Sequence, residues 1–405
     1  MNVEVRSARA DEMDQFGLVG AYVYAGAFGD GPENIVAQNN RPEWTLCAFI
    51  DGRMATSYSC IPFTMRVNGN AVSLGGVSAV GTLPEHRRRG LLRTITRQSL
   101  ADMRARGQSV AALWASQAAI YQRYGYALAS EQVSYRVDSV DVAFFDGDRG
   151  SAEVRRVDVE SGYDTLKQLY IDFVKERTGY LHRAKPLWLM NTLSANPTTG
   201  PVHISIAYAT DGVPVGYVAY HVRDGRTGHR TRGQELTIKD FVWLTPNAYR
   251  SLWSWLAKHD LVGRILWPRA PVDDPARELF LEPRLLHPES RDGIWLRIVD
   301  VPAALEARGY QTSAALNLEV VGDELAPWNT GRYRLECARD GARVTKSDAT
   351  PELKLSAKAL GSLYSGFRSA RQLAAWGLAS GDPDAIERAT QVFATRHAPH
   401  CPDNF

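Results

Sequence analysis

Residues 77–92 read VSAVGTLPEHRRRGLL, and this stretch decides the fold. A strand leads into a short arginine-glycine turn at residues 87–90, which opens directly into a helix. Backbone N–H groups at a helix start have no intrahelical partner and carry the positive end of the helix dipole, so a diphosphate placed there gains several hydrogen bonds. Glycine at position 90 lets the backbone approach such a ligand without a Cβ in the way. A solvated face or a generic anion patch is the alternative for three consecutive arginines.

A second motif follows about thirty residues downstream. Residues 109–115, SVAALWA, predict a buried strand, and residues 118–126, AAIYQRYGY, predict a short helix that ends at a glycine. The pattern R-x-x-G at 87–90 and the pattern Y-x-x-x-G-Y at 121–126 together resemble the coenzyme A motifs of the GNAT superfamily of N-acetyltransferases. Leu92 departs from the superfamily, which has Gly or Ala at that position of the loop.

The GNAT resemblance implies that acetyl-CoA is the cosubstrate. In that superfamily two central strands splay apart, and the acetyl-pantetheine arm lies between them like a further strand. Backbone groups around Val80 and Thr82 would bind the arm, with one N–H facing the thioester oxygen. Tyr126 would donate a proton to the departing thiolate; the alternative is a packing aromatic at a helix end. The cofactor-binding residues expected on this basis are Val80, Thr82, Arg87, Arg88, Arg89, Gly90, Leu91, Leu92 and Ser116.

Length and composition describe an ordinary globular protein. With 405 residues the chain is too long for one acetyltransferase domain, and 44% hydrophobic residues provide ample core. The net charge of +2 gives no indication of nucleic-acid or membrane partners. Because no apolar run approaches roughly eighteen residues and no leader pattern is present, we expect a cytoplasmic protein without a membrane span. Scattered cysteines and histidines without ligand spacing predict reduced thiols and no metal.

The order of predicted helices and strands divides the chain into three domains. Residues 1–150 fit a mixed sheet with helices on both faces, the expected catalytic acetyltransferase domain. Residues 151–294 repeat the order of strand, proline-containing turn and helix without the arginine-glycine turn, which predicts a degenerate copy. Residues 295–405 resemble the sterol-carrier-protein type of α+β domain, with docking and lipid binding as the two open roles. The predicted fold class is α+β: two GNAT acetyltransferase-like domains in tandem, then a sterol-carrier-protein-like domain.

The chain as a whole resembles the enhanced intracellular survival (Eis) family of N-acetyltransferases. The resemblance rests on the domain order, on residues 86–93, 120–126 and 295–310, and on a C-terminal phenylalanine. It implies direct acetyl transfer to amines of aminoglycosides or related cationic compounds, at several positions on one molecule in some members, and assembly as a homo-oligomer, a hexamer. Two alternatives stay open: an acetyltransferase acting on protein lysines or N-termini, and a non-catalytic protein that binds coenzyme A or lipid.

The family resemblance also gives the last residue, Phe405, a catalytic role. A free α-carboxylate is ionised at neutral pH, so it would take a proton from the attacking ammonium, directly or through water, while the phenyl ring anchors the tail. A frayed terminus is the alternative. Two prolines stiffen residues 398–405 and the stretch ends in a bulky apolar residue, which favours a docked tail.

Three residues are expected to contact the acceptor amine. Asp30 would recognise an ammonium group and Phe28 would form a wall of the pocket, although Asp30 has an equally open alternative as a turn or capping residue. Asp403, close to the C-terminus, is the third. Gln38 replaces a tryptophan of the family's pocket and Asn404 replaces an acid, which predicts a roomier and less acidic pocket.

Overall fold

The computed structural model describes residues 2–25, 40–195, 200–225 and 227–405. It divides into two compact units, each assembled from separate parts of the chain. Unit 1 consists of residues 1–129, 294–395 and 405, and unit 2 consists of residues 130–293 and 396–404. Within the described ranges, no helix combines the length and the apolar character that crossing a membrane requires.

A seven-stranded sheet forms the acetyltransferase-like part of unit 1. Its strands are β1 Val3–Arg6, β2 Cys47–Ile50, β3 Arg53–Val67, β4 Asn70–Thr82, β5 Val110–Trp114, β6 Ala127–Leu128 and β14 Ile294–Ile298. They are ordered β1-β2-β3-β4-β5-β14-β6. The helices of this part are α1 Met13–Val23, α2 Leu91–Ala105 and α3 Ala118–Gln122. The residues of α2 that are buried recur at helical spacing, among them Leu91, Ile95, Leu100 and Met103, so one face of the helix packs on the sheet.

A second seven-stranded sheet forms unit 2. Its strands are β7 Glu131–Asp138, β8 Glu153–Val157, β9 His203–Tyr208, β10 Pro214–Asp224, β11 Gln234–Trp243, β12 Val262–Pro271 and β13 Glu289–Asp292. They are ordered β13-β7-β12-β11-β10-β9-β8. The helices are α4 Val159–Val174, α5 Lys185–Trp188, α6 Pro246–Ala257 and α7 Ala276–Leu279. A core rich in aromatic rings lies under α6, where Phe241, Trp253 and Trp267 contact one another.

The two sheets repeat one topology. Taken from the opposite end, the second sheet runs β8-β9-β10-β11-β12-β7-β13, which matches the first strand for strand. The parallel pair β4 and β5 corresponds to β11 and β12. This confirms the predicted second copy of the fold.

The sequence analysis assigns residues 1–150 to the first domain, but β7, which lies within this range, belongs to the second sheet. This strand follows β6 directly along the chain, yet it joins the sheet of unit 2, and β14 later returns to the sheet of unit 1. β7 pairs antiparallel with β12, and β14 pairs antiparallel with β5. Alternation along a strand indicates which face is buried, but it carries no information about which sheet the strand joins.

The last part of unit 1 is a five-stranded sheet covered by helices. The strands are β15 Ala314–Val321, β16 Gly331–Ala338, β17 Gly341–Lys346, β18 Leu353–Ser356 and β19 Ala379–Gly381, in the order β17-β16-β15-β18-β19. The helices are α8 Val301–Ala307, α9 Ala357–Tyr364, α10 Ala370–Ala375 and α11 Pro383–Val392. Helix α9 packs closely on β14 and β6, since Gly361 approaches the carbonyl of Leu296 and the Ser362 hydroxyl donates to the Leu128 carbonyl at 2.9 Å.

Candidate functional site

The two central strands of unit 1 separate partway along their length. β4 and β5 pair in parallel at three positions, and Gly76 opposite Ala112 is the last of them. β4 then continues to Thr82 and β5 to Trp114 without pairing to each other. Among the described residues, the edge of β4 beyond Gly76 that faces β5 therefore has no strand beside it. An extended group with amide donors and acceptors fits such an edge, as the predicted pantetheine arm requires.

A bulge in β4 marks the opening. Ser57 pairs with Gly81 but Ser59 pairs with Ser78, so β4 contains one residue more than β3 across this interval. Ala79 within it has a φ of 52°, in the left-handed region. Bulges bend a strand and increase its twist, which explains how β4 leaves β5 here.

Side-chain hydroxyl groups fix the bulge. The Ser57 hydroxyl donates to the Ala79 carbonyl at 2.8 Å, and the Tyr24 phenol donates to the Val80 carbonyl at 2.9 Å. Tyr24 also lies next to Ser116, an exposed residue that the Tyr121 phenol neighbours as well. Tyr24 thus contacts both Val80 and Ser116, whose role in cofactor binding stays a prediction. Tyr24 was missed, because a tyrosine at the end of a helix has no distinguishing pattern.

The arginine-glycine turn presents its backbone to solvent. Arg88 and Gly90 both have positive φ, 62° and 78°, whereas Arg87 has a φ of −66°. Left-handed residues of this kind occur in the turns whose successive N–H groups point toward one side and bind anions. Gly90 is the N-cap of α2 and gives no side-chain cap, and a Cβ built on it meets nothing within 4 Å. The turn therefore fits a diphosphate in contact with the backbone.

The three arginines of the turn are exposed. In the part of the chain that the structure describes, neither Arg87 nor Arg88 forms an ion pair, while Arg89 donates to the Glu85 carbonyl at 3.0 Å. Leu91 is buried and Leu92 half-buried, and both pack in the same cluster as Tyr126 and Val80. Thr82 lies at the end of β4, with its hydroxyl 3.1 Å from that of Thr56.

Tyr126 is buried at the end of the turn that follows α3. Its backbone N–H donates to the Tyr121 carbonyl at 3.1 Å, and the two rings meet edge to face at 6.0 Å. Its buried hydroxyl lies next to the Tyr58 hydroxyl, which is buried as well. Burial raises the pKa of Tyr126 above its ordinary value, against a smaller opposing effect of Arg297. A phenol that stays protonated at neutral pH is suited to proton donation.

The ring of Phe405 packs at the point where β4 and β5 separate. It lies 5.2 Å from the ring of Phe63, centroid to centroid, and a Cβ on Gly76 would stand 2.9 Å from it. The docked position predicted for the last side chain agrees with these contacts. The catalytic role of its carboxylate stays a prediction.

Of the three residues predicted to contact the acceptor, two are outside the described residues and one belongs to unit 2. Phe28 and Asp30 fall in the stretch 26–39, which the structure does not describe. Asp403 belongs to unit 2, where it is fully buried and accepts from Arg183 Nε at 2.9 Å. Burial raises the pKa of Asp403 to about 6, against the lowering effect of Arg183. A contact between Asp403 and a substrate ammonium stays a prediction.

Three family models match the chain. Two, each described as an acetyltransferase (GNAT) domain, match residues 4–129 and 179–298, and one described as a sterol carrier protein domain matches residues 301–402. An uncharacterized N-acetyltransferase of Streptomyces coelicolor is 33% identical over 356 residues, which cover 85% of this chain and 84% of that protein. N-acetyltransferase Eis of Mycobacterium tuberculosis is 32% identical over 328 residues, which cover 79% of this chain and 78% of that protein. The chain belongs to the Eis family of GNAT N-acetyltransferases.

Solved structures agree with this family assignment. Eis1 from Mycobacterium abscessus has a TM-score of 0.82 and 29% identity over 99% of this Eis-family chain and 100% of its own. A GCN5-related N-acetyltransferase from Anabaena variabilis has a TM-score of 0.88 and 26% identity over the full length of both chains. The Eis-family chain is an N-acetyltransferase with two GNAT domains followed by a sterol-carrier-protein domain, as predicted from the sequence. GNAT domains use acetyl-CoA, and the described residues of unit 1 fit its diphosphate and its extended arm.

Proposed function

We propose that this chain transfers the acetyl group of acetyl-CoA to amines of cationic small molecules, aminoglycosides among them, at the opening between β4 and β5. One observation carries the proposal: the ring of Phe405 packs against Gly76, at the last residue pair before the strands separate. That contact brings the last residue of the chain to the start of the edge that would take the acetyl-pantetheine arm. The catalytic and cofactor-binding residues of the proposal all belong to unit 1.

The turn at 87–90 and the first turn of α2 would hold the diphosphate through backbone N–H groups, with the arginines adding charge. Backbone groups of Val80 and Thr82 would align the arm along β4 and polarise the carbonyl to be attacked. Acetyl-CoA supplies the acetyl group as a thioester. Ser116 would limit the opening on the side of β5.

Two groups would handle protons during direct transfer. The carboxylate of Phe405 would accept a proton from the ammonium, directly or through water, so that a neutral amine attacks. As the new C–N bond forms and the C–S bond breaks, the Tyr126 phenol would give its proton to the sulfur. The proton that the acylated nitrogen loses in the same step would restore the phenol through solvent. Phe28 and Asp30 would contact the acceptor through a ring face and a carboxylate.

A thiol-release assay with acetyl-CoA and kanamycin tests this function, followed by mass spectrometry that counts the acetyl groups on the acceptor. Lysine-containing and free N-terminal peptides serve as competing acceptors. We expect acetylated kanamycin and a much lower rate with peptides. Acetylated peptides with unmodified kanamycin would favour a protein acetyltransferase, and no thiol release with any amine would overturn the proposal.

The family resemblance adds two further parts to the proposal, assembly as a hexamer and a cytoplasmic location. Light scattering coupled to size-exclusion chromatography measures the first. A mass near six times that of the 44.9 kDa chain is expected, and a monomeric mass would contradict it.

A further inference from the structure

The central strands of unit 2 separate in the same way as those of unit 1. β11 and β12 pair in parallel from Gln234 opposite Val262 to Thr237 opposite Leu266. β11 then runs on to Trp243 and β12 to Pro271 without pairing to each other. The second sheet therefore has its own opening, at the place that corresponds to the predicted coenzyme site of the first.

The helix next to this second opening cannot bind a diphosphate as α2 can. α6 begins with Pro246, which has no N–H to offer, and the Thr245 side chain accepts from the Ala248 N–H at 3.1 Å. In α6 one of these first-turn N–H groups is thus absent, and another donates to the side chain of Thr245. The corresponding groups of α2 have no such side-chain cap.

Residues 402 and 403 are tied to both sides of the second opening. On β12, Arg269 donates to the Pro402 carbonyl at 3.1 Å. On β11, Asp240 forms a very short ion pair with Arg183, and Arg183 donates to Asp403 at 2.9 Å. Both Arg269 and Asp240 lie beyond the last paired residues of their strands.

Arg183 is a buried linker between the tail and the sheet. Its guanidinium lies 4.1 Å from the centre of the Tyr170 ring, and its side chain is 1% exposed. The Tyr217 hydroxyl donates to Asp240 at 2.7 Å, so the carboxylate of Asp240 has two donors in a desolvated place. Buried charges of this kind are kept only where partners satisfy them.

The tail is also held on either side of these residues. Upstream, the His400 N–H donates to the Thr178 carbonyl at 2.9 Å, and a Cβ on Gly179 would stand 2.5 Å from the His400 carbonyl oxygen. Downstream, the amide side chain of Asn191 accepts from the Asn404 N–H at 2.8 Å and donates to the Asn404 carbonyl at 3.2 Å. Asn191 therefore binds the backbone of the residue next to Phe405 at two points, as a neighbouring strand would.

A local feature of the backbone explains why Asn191 reaches the tail. Asn191 lies in a π-helical turn, Leu189–Leu193, directly after α5. π-Helical turns are rare in proteins, and those that occur often lie at functional sites. The turn brings Asn191 to the tail while Leu193 and Thr192 stay buried.

We infer that the opening between β11 and β12 is a binding site for the chain's own residues 400–404, and that Arg183, Arg269 and Asn191 act as positioning residues for Phe405. The positioning part rests on the role proposed above for the carboxylate of Phe405. The second acetyltransferase-like sheet thus takes a peptide where the first takes a coenzyme. It contributes to catalysis without contact to the reacting atoms.

Digestion with a carboxypeptidase, followed by mass spectrometry of the intact protein, tests the binding site independently of activity. Asn191→Ala removes the two hydrogen bonds to Asn404 at a partly exposed position, and Arg269→Gln removes the contact to Pro402. We expect the carboxypeptidase to remove Phe405 about tenfold faster from each variant, because a tail that has lost these hydrogen bonds leaves its site more often. Asn247→Ala is the matched control, since Asn247 likewise accepts a backbone N–H in unit 2 but does not contact the tail. It should digest like the unaltered protein.

Steady-state kinetics on the same variants separate this inference from the proposed function. We expect kcat to fall about tenfold while KM for acetyl-CoA stays unchanged, a split that general destabilisation would not give. Faster digestion with unchanged kcat would support the binding site and overturn the role of the Phe405 carboxylate. Unchanged digestion in both variants would overturn the inference, even if removal of Phe405 itself abolished activity.

Discussion

At the scale of single residues, Tyr126 combines burial, a protonated phenol and a neighbouring hydroxyl, that of Tyr58. Tyr126→Phe keeps the ring and its edge-to-face contact with Tyr121 but removes the proton. We expect kcat to fall by about 100-fold or more, since proton transfer by a positioned side chain contributes about 10²–10⁴-fold. KM for acetyl-CoA should stay close to its original value. Initial rates over a range of acetyl-CoA concentrations check this, and an unchanged kcat would exclude Tyr126 as the proton donor.

The backbone conformation of Gly90 predicts the effect of a substitution at this position on coenzyme A binding. Its φ of 78° disfavours any residue with a Cβ, although nothing lies within 4 Å of where that Cβ would stand. Gly90→Ala is therefore expected to distort the turn by about 1 kcal/mol, which raises the dissociation constant for coenzyme A several-fold. Calorimetric titration with coenzyme A measures it. Gly107→Ala, also at positive φ with nothing within 4 Å, is the control that should bind normally.

The sequence alone proposes roles for Tyr126 and Gly90, because their motifs are local. It proposes none for Tyr24 and Asn191, since each acts through a contact with a distant part of the chain, Val80 in one case and Asn404 in the other. A single tyrosine or asparagine has no spacing that would predict such a contact.

At the scale of elements, the helix that starts at Leu91 and the strand before it follow directly from their pattern. The separation of β4 from β5 does not. No feature of residues 77–82 in the sequence marks the point of separation, because the bulge at Ala79 depends on hydroxyl donors from β3 and from Tyr24, the residue after α1. The resemblance to the GNAT superfamily, rather than the pattern itself, predicted the opening.

A buried carboxyl group between β12 and α7 makes the stability of unit 2 depend on pH. Burial raises the pKa of Asp274 to about 7, although the Ala276 N–H and the Tyr249 hydroxyl both donate to it. The folded state therefore keeps a proton that the unfolded chain has already released. The resulting stabilisation is complete below the unfolded pKa of 3.8 and is lost as pH rises through about 7.

Asp274→Asn removes this titration and keeps an acceptor for the Tyr249 hydroxyl. Between pH 5 and 7, the free energy of unfolding of the unaltered protein should fall relative to that of the variant by about 1 kcal/mol per pH unit. Denaturant unfolding at several pH values measures the difference. Parallel profiles for the two proteins would contradict the assignment.

At the scale of the whole molecule, the order of the three domains was predictable from the sequence. Which sheet β7 and β14 join was not. β7 pairs with β12 and β13, and β14 pairs with β5 and β6, so each has neighbours that lie far away along the chain. The tail is a similar case, because residues 396–404 belong to unit 2 while Phe405 belongs to unit 1. Such long-range pairings depend on the completed fold.

This strand arrangement predicts which fragments fold. Residues 1–150 lack β14, so β5 and β6 would lose their shared neighbour and leave exposed edges. We expect that fragment to aggregate. Residues 1–129 joined by a short glycine-serine linker to residues 294–395 should instead unfold cooperatively, since the Ala129 N–H already donates to the Ile294 carbonyl at 3.0 Å. Circular dichroism during thermal unfolding compares them, and cooperative unfolding of 1–150 alone would contradict the strand assignment.

The proposed mechanism depends on the carboxylate of Phe405, whose ring packs at the opening in unit 1. The most direct test is the acetyl-transfer rate of a protein extended by one alanine after Phe405, with coenzyme A affinity measured in parallel. The extension keeps the ring and moves the carboxylate, and Phe405→Leu, which keeps the carboxylate in place, is the control. We predict a fall in kcat of about 100-fold for the extended protein with unchanged coenzyme A binding, and little loss for the control. An extended protein that turns over at the original rate would contradict the account.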